Sequence, residues 1–523
     1  TICRALDGLP LALELAAARL RLLEPAALAE RIGDALGILT TGPRDAAERH
    51  RTLRGTIEWS HSHLGEAEKI LFRRMGVFAS TASLESIEQV CGGDALSVLD
   101  ALDHLADLSL VQPEAGRFSM LKTIAQFARE RLEEAPEAED IKRRHANAMV
   151  TASSAICSGI EGGDQVGALR RGIEEEPDIS LALDRCLNRA CSGDARMGEK
   201  GPSIVANLWM YWHIRGMHVT AREYAEALLE ATASAPPSAG RAGTLLSLGL
   251  AQWTLGHVDE ANELWSEAYD MASGLGDLRL QSRAAFSLAA GFLGLDPGNA
   301  RSWAKRGAAI GQDSGDRWAF AFARGFDAFA EAILGNLDAA RGGFGEALAV
   351  QTEIGDFEGS GFALGGLAFI EVQTGNLQSG TELYERARAA YATIGDRAEE
   401  ARLLGKVAWA YLASGDIVAA RRRFLDSITA YQDVASRRGV GLALVGLVAT
   451  DTIDGVYERA VLLAGVAERL VGEEGIANVY QTAPQGTGHR DAAMAALAPE
   501  VAARAHIEGR NMTLEEAVSL ARS

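Results

Sequence analysis

Few residues of this chain could do chemistry, and their spacing rules out most of it. His61 and His63 flank Ser62 as an H-x-H pair, but no third ligand follows at a usable spacing, so no metal site is expected. The run Gly359-Ser360-Gly361-Phe362-Ala363-Leu364-Gly365-Gly366 has the glycine content of a phosphate loop. It falls at the start of a repeat helix with no strand before it, so close helix packing is the better account. No G-x-x-x-x-G-K-[ST] occurs, and no apolar run ends in the paired acids of a Walker B strand, so nothing here cradles phosphates and magnesium. A G-x-S-x-G nucleophile elbow is absent too. Cys3, Cys91, Cys157, Cys186 and Cys191 are scattered without a C-x-x-C pair, which reads as reduced thiols in a cytoplasmic protein. The expectation is a chain that is not an enzyme.

What remains is recognition, and a repeat frame organises it. Gly335, Gly375, Gly415 and Gly455 recur at a fixed step, as do Gly216 and Gly256 before them. One degenerate unit between Gly256 and Gly335 turns at Asp296-Pro297-Gly298-Asn299. A second frame interleaves: Gly276-Asp277, Gly315-Asp316, Gly355-Asp356 and Gly395-Asp396. One frame marks the turn inside each helical hairpin and the other the turn between hairpins, the mark of a solenoid. Small residues recur where helices cross, and one large residue per unit (Trp265, Phe344, Tyr384, Phe424) fills the gap to the next hairpin. The columns resemble the tetratricopeptide repeat, stretched by longer second helices. A plain α-solenoid of another kind is the alternative.

Such hairpins stack into a superhelix with a groove lined by the first helices. The column four residues before each turn glycine reads Trp212, Gln252, Glu331, Glu371, Tyr411 and Asp451. It varies in polarity and size, as a groove-facing position would, and suits a basic or amphipathic peptide or a sugar-like ligand. The same column also reads as solvated polar positions with no ligand.

The first 135 residues carry a different signal. In Gly8-Leu9-Pro10-Leu11, Gly8 and Pro10 break one helix, and Pro10 suits the first turn of the next. The wording resembles the G-L-P-L motif of the STAND signal-transduction NTPases, in the branch of MalT-like and AfsR-like bacterial regulators. There the proline packs against adenine, so the resemblance assigns that contact to Pro10, helped by Gly8 and Leu9. It continues through Arg51–Ser60, Leu64–Glu68 and Leu71–Phe78, a passage that in these regulators enters a winged-helix domain. The local pattern agrees: helices near 66–76, 83–91 and 95–107, then strands Ser109–Gln112 and Arg117–Met120 around Glu114-Ala115-Gly116. Three helices and a wing can read DNA. The third helix carries Asp100 and Asp103 and no Arg or Lys, so phosphates would repel it and a packing role is expected. Where wider relatives place a Met-His-Asp triplet with a phosphate-sensing histidine, this chain has Leu121 and Lys122; the role is assigned to no residue here.

With 51 Lys plus Arg against 71 Asp plus Glu, a net charge of −20 argues against nucleic-acid binding by the surface at large. No run of apolar residues is long enough for a bilayer, so neither a membrane partner nor an extra-cytoplasmic location is expected. The chain opens on Thr1 in what reads as mid-helix and is taken as part of a longer protein.

These readings combine into a mostly α fold: a winged-helix domain with a small β-wing, then a tetratricopeptide-like α-solenoid. The expected layout is 1–60, a helical domain after a nucleotide-binding core; 61–135, winged helix; 136–202, helical linker; 203–470, repeats; 471–523, capping helices. The resemblance implies the sensor and regulatory part of a STAND ATPase transcriptional regulator, with ADP or ATP held mainly by an upstream domain. A protein or small-molecule inducer would bind the arm, and the parent would self-assemble on activation. The alternative is a stand-alone tetratricopeptide scaffold that binds peptides without nucleotide.

Overall fold

Glycine and aspartate at fixed offsets set where nearly every helix of the long arm stops and starts. The computed structural model describes residues 53–93, 95–472 and 487–523, with a few isolated positions among the first 27. Gly8, Leu9 and Pro10 lie outside the described residues, as do Arg51 and Thr52. The chain divides into two units: a head of residues 1–153 and 171–204, and an arm of residues 154–170 and 205–523.

The head runs α1 (Leu53–Ser62), α2 (Glu66–Met75), β1 (Ala82–Ser83), α3 (Leu84–Cys91), α4 (Ala95–Asp107), β2 (Gln112–Glu114), β3 (Arg117–Ser119) and α5 (Lys122–Glu133). Phe72, Ile87, Leu105 and Phe127 are its buried apolar anchors. The strands form one antiparallel sheet in the order β1-β3-β2, and β1 was not expected from the sequence. Glu114 pairs with Arg117, so this hairpin turns on Ala115 and Gly116 alone. Both have positive φ, 50° and 82°, as a two-residue hairpin matching strand twist requires. Strand β2 starts later than the expected Ser109, because Leu110 and Val111 donate their N–H groups back to Leu105 and finish α4.

Helices α6 (Ala138–Ile160) and α7 (Gln165–Cys191) each contribute residues to both units. Within the head, His145 Nε2 bonds Asp178 Oδ1 at 2.9 Å, both side chains buried. The same carboxylate accepts the Ala79 N–H at 2.8 Å, and Arg185 Nη1 meets His145 Nδ1 at 3.3 Å. The stretch Ser192–Pro202, expected as a loop, holds the short α8 (Ala195–Gly198) and the start of α9 (Lys200–Ile214). Pro202 sits in the first turn of α9, where a missing N–H breaks no helical bond.

The arm continues as hairpins. After α9 comes α10 (His218–Ala231), then α11 (Ala239–Leu255) with α12 (Val258–Leu275), and α13 (Leu278–Phe292) with α14 (Pro297–Ser314). Next are α15 (Arg317–Ile333) with α16 (Leu337–Ile354), α17 (Phe357–Gln373) with α18 (Leu377–Ile394), and α19 (Arg397–Ala413) with α20 (Ile417–Asp433). The last pair is α21 (Arg437–Ile453) with α22 (Tyr457–Gly472). Gly335 and Gly375 end first helices at φ 86° and 84°, and Gly355 and Gly395 end second helices at φ 77° and 71°. That left-handed step costs glycine nothing. The aspartate after each glycine of the second frame caps the next helix: Asp356 Oδ1 accepts the Gly359 N–H at 3.0 Å and Asp396 Oδ1 the Glu399 N–H at 2.9 Å. Where the frame puts a glycine at 435 the chain has Ala435, held at φ 55°.

Trp265, Phe344, Tyr384 and Phe424 are buried. Room for three of them comes from glycines: a Cβ on Gly249, Gly366 or Gly446 would overlap the ring of Trp265, Phe344 or Phe424 respectively. The glycine-rich start of α17 is therefore a packing surface. At the C-terminus α23 (Thr487–Ala496), α24 (Pro499–Asn511) and α25 (Leu514–Arg522) follow. The single helix expected over Asp491–Glu508 is two, because Ala498 before Pro499 is extended (φ −58°, ψ 139°). Thr513 and Glu516 form the expected capping box. Ala505, Ala517, Val518 and Ala521 join a core with Ala464 and Ala467 of α22. Most of the expected loop over 472–488 lies outside the described residues.

Candidate ligand-recognition site

The six residues expected to line a groove occupy equivalent places near the ends of first helices, but they do different jobs. Trp212, Gln252 and Asp451 are buried, which corrects their assignment to an open groove. Trp212 is core of the first hairpin, and Gln252 Nε2 donates to Glu260 at 2.9 Å. Asp451 is 0% exposed and lies between Arg421 and Arg459.

Glu331 and Glu371 keep some solvent, and each holds the neighbouring hairpin. Arg301 reaches Glu331 at 3.4 Å and Arg341 reaches Glu371 at 3.2 Å. With Arg421 and Asp451, these are three arginine–acid clamps of identical sequence separation, 30 residues. A hydrogen bond from Asn336, with Arg301 and Lys305 nearby, holds the Glu331 carboxyl below its ordinary pKa. Tyr411 borders a surface depression, of ≈ 690 Å³, with Ser414 and α18 residues from Leu377 to Arg386. Glu331, Glu371 and Asp451 bond between repeats, because a position near a helix end is also where the next hairpin abuts.

A denser polar cluster lies at the other end of the first helices. Asp356 and Glu358 start α17, and Asp396 and Glu399 start α19. Glu358 is 5% exposed, and its Oε2 has no hydrogen-bond partner. Burial pushes its carboxyl well above the usual range, and the neighbouring Asp396, Glu399 and Asp356 push it further. Asp396 is raised to about 8 by burial and by Glu399. Asp356 rises to about 6, chiefly by burial. Glu399 is satisfied: its Oε2 accepts from Arg402 Nε at 2.8 Å and Nη2 at 2.6 Å. Glu399 and Arg402 keep 26% and 41% of their side-chain surface in solvent, so one side of the cluster is open.

Residues 154–170 of the arm seat beside these carboxylates. Gln165 Nε2 donates to Asp356 Oδ1 at 2.7 Å, and its Oε1 accepts the Phe357 and Glu358 N–H groups at 2.8 and 3.3 Å. Glu161 accepts from Arg283 Nη2 at 2.7 Å and also from Arg279. The cluster was missed in the sequence because acids at a helix start read as capping. The clue was the extra acid just after the Gly-Asp frame, Glu358 in one repeat and Glu399 in the next.

His61 packs on Phe72 and Phe127, and His63 Nδ1 bonds the Trp59 carbonyl at 2.7 Å. Among the described residues no group of three His, Cys, Asp or Glu side chains is placed to hold a metal ion. Likewise, among the described residues, no helix is long and apolar enough to cross a membrane.

Residues 359–433 match the tetratricopeptide repeat family. The chain is 42% identical over 151 residues to a protein of Mycobacterium tuberculosis named as an HTH-type transcriptional regulator, covering 28% of this chain and 17% of that protein. It is 31% identical over 169 residues to an uncharacterised M. tuberculosis protein, covering 31% of this chain and 43% of the other. It thus spans less than half the length of either relative. Among solved structures it is similar to a STAND protein with a tetratricopeptide repeat sensor from Pyrococcus horikoshii, at TM-score 0.45 and 16% identity, over 92% of this chain and 74% of that one.

Proposed function

We propose that this chain is the sensor and regulatory part of a STAND ATPase transcriptional regulator. A protein or small-molecule signal binds on the repeat superhelix and is coupled to a nucleotide switch in an upstream domain. The observation that carries the reading is the under-neutralised carboxylate cluster at the starts of α17 and α19, with Asp396 and Glu399 inside the segment that matches tetratricopeptide repeats and Asp356 and Glu358 just before it. Such a patch selects a partner by charge. The motif around Pro10 and the similarity to a named transcriptional regulator support the assignment of the parent.

In this reading the head is a winged helix with a packing role, since exposed Asp100 and Asp103 on α4 would repel phosphates. ADP or ATP occupies the upstream domain, and Gly8, Leu9 and Pro10 supply only the adenine contact. The chain itself catalyses nothing, works in the cytoplasm, and the parent self-assembles when the signal arrives.

The test is nucleotide exchange on the full-length parent. Addition of the cognate signal should speed release of a fluorescent ADP analogue, and Glu358→Gln should abolish the response without changing resting ADP affinity. A parent that binds no nucleotide would favour the scaffold reading, and exchange indifferent to the signal would overturn the coupling.

A further inference from the structure

Around Glu358 the arm holds more negative than positive charge. Asp356, Asp396 and Glu399 act on its carboxyl against the Arg402 cation, while Lys406 and His213 act on Glu399. The Tyr391 phenol also faces this group, and Glu358 helps push its pKa up. Arg402 is engaged by Glu399 through two hydrogen bonds. Asp356 Oδ1 both caps its helix and accepts from Gln165, and Asp396 Oδ1 caps its own helix. Glu358 Oε2 and Asp356 Oδ2 are buried without any partner.

An unpaired buried carboxylate is costly, and retains its place only if protonated or supplied with a counter-charge. A metal does not fit, because among the described residues no three such ligands converge. Acceptor oxygens spread over two helix starts match a group with several divergent N–H donors instead. The open side at Arg402 gives the route in.

We propose that Glu358, with Asp356, Asp396 and Glu399 around it, binds an organic cation, a primary ammonium or guanidinium group. This rests on the reading of the arm as a sensor for its biological meaning, while the binding itself stands on the geometry above. The cation replaces protons that the cluster otherwise holds, so binding releases protons to the buffer and tightens as the pH rises from about 6 to about 8. The group arrives either on a free polyamine or on a basic side chain of a peptide.

The experiment is isothermal titration calorimetry of the full chain with spermidine, with a lysine-containing peptide, and with the same peptide acetylated on its lysines, in buffers of different ionisation enthalpy. Binding of either cationic probe with proton release is expected, and the tighter one identifies the source. Glu358→Gln should weaken it by about tenfold or more, the loss of one charge-assisted hydrogen bond. Arg402→Ala, which removes the competing cation, should strengthen it, and Glu331→Gln should leave it unchanged. Circular dichroism and the unfolding midpoint check that each variant is folded. No binding of either cation at millimolar concentration, equal binding of the acetylated peptide, or a folded Glu358→Gln that binds like the wild type would overturn the proposal. None of these results bears on whether the parent's nucleotide exchange responds to a signal, so the sensor reading fails or stands separately.

Discussion

Arg459 grips Asp451 with both arms of its guanidinium, Nε to Oδ2 at 2.7 Å and Nη2 to Oδ1 at 2.8 Å, while Arg421 closes the other side. The carboxylate is wholly buried, so removing it strands two partly buried cations. Asp451→Ala is expected to cost about 3 kcal/mol, the lower end for a broken buried pair because both arginines retain some solvent. Glu331→Ala, at the equivalent clamp nearer the surface, should cost about 1 kcal/mol or less. Urea unfolding midpoints of the two variants measure the difference, and equal losses would show that burial does not set the strength of these clamps.

Gln165 satisfies the first two N–H groups of α17 and one oxygen of its capping aspartate. Gln165→Leu keeps the bulk and leaves those groups bare, at about 1–3 kcal/mol for a buried unsatisfied donor. Amide exchange of Phe357 and Glu358 should accelerate in the variant, while α21 should be unaffected. Unchanged protection at those two amides would mean water replaces the side chain freely.

Two glycines in adjacent repeat helices should respond in opposite ways. Gly366 faces the Phe344 ring with no room for a Cβ, so Gly366→Ala should destabilise the arm by about 1–3 kcal/mol. Gly342, within α16, has open space around it, and Gly342→Ala should stabilise by up to about 1 kcal/mol through helix propensity. Thermal unfolding of the pair separates packing from propensity in one comparison.

Acid should loosen the head around His145. Burial lowers the His145 pKa, outweighing the raising effect of Asp178, and Arg185 sits where a neutral ring nitrogen can accept. The unfolded chain binds this proton near pH 6.5 and the folded head resists it. The stabilising contribution is therefore complete above about pH 6.5 and is lost as the pH falls from there toward the depressed folded value. Hydrogen exchange over residues 138–150 should rise between pH 7.5 and 5.5 once corrected for intrinsic rates, and His145→Gln should flatten that rise.

The sequence carried the repeat architecture because its punctuation is local. A glycine that must adopt positive φ and an aspartate that must cap are each visible as single letters, and the structure puts a helix boundary at every one. Boundaries without such letters were read less well: β1 is only two residues long, and Ala498 gave no sign of a break beyond the proline after it. The site was less legible still. Column analysis found the positions that vary, Gln252 through Asp451, but variation there reflects which hairpin partner each residue meets. Glu358 depends on Asp396 and Glu399 of the next repeat, and Asp356 on Gln165, 191 residues earlier; no periodicity links 165 to 356.

That separation also fixes an order of events on the ribosome. At about 5–20 residues per second, roughly 10–40 s pass between the emergence of Gln165 and that of Asp356. Gln165 must wait for Asp356 until four further hairpins, α9–α10 to α15–α16, have been translated. Recoding the intervening codons for faster or slower translation would therefore change how long this part of the chain is open to chaperones, without altering a single native contact.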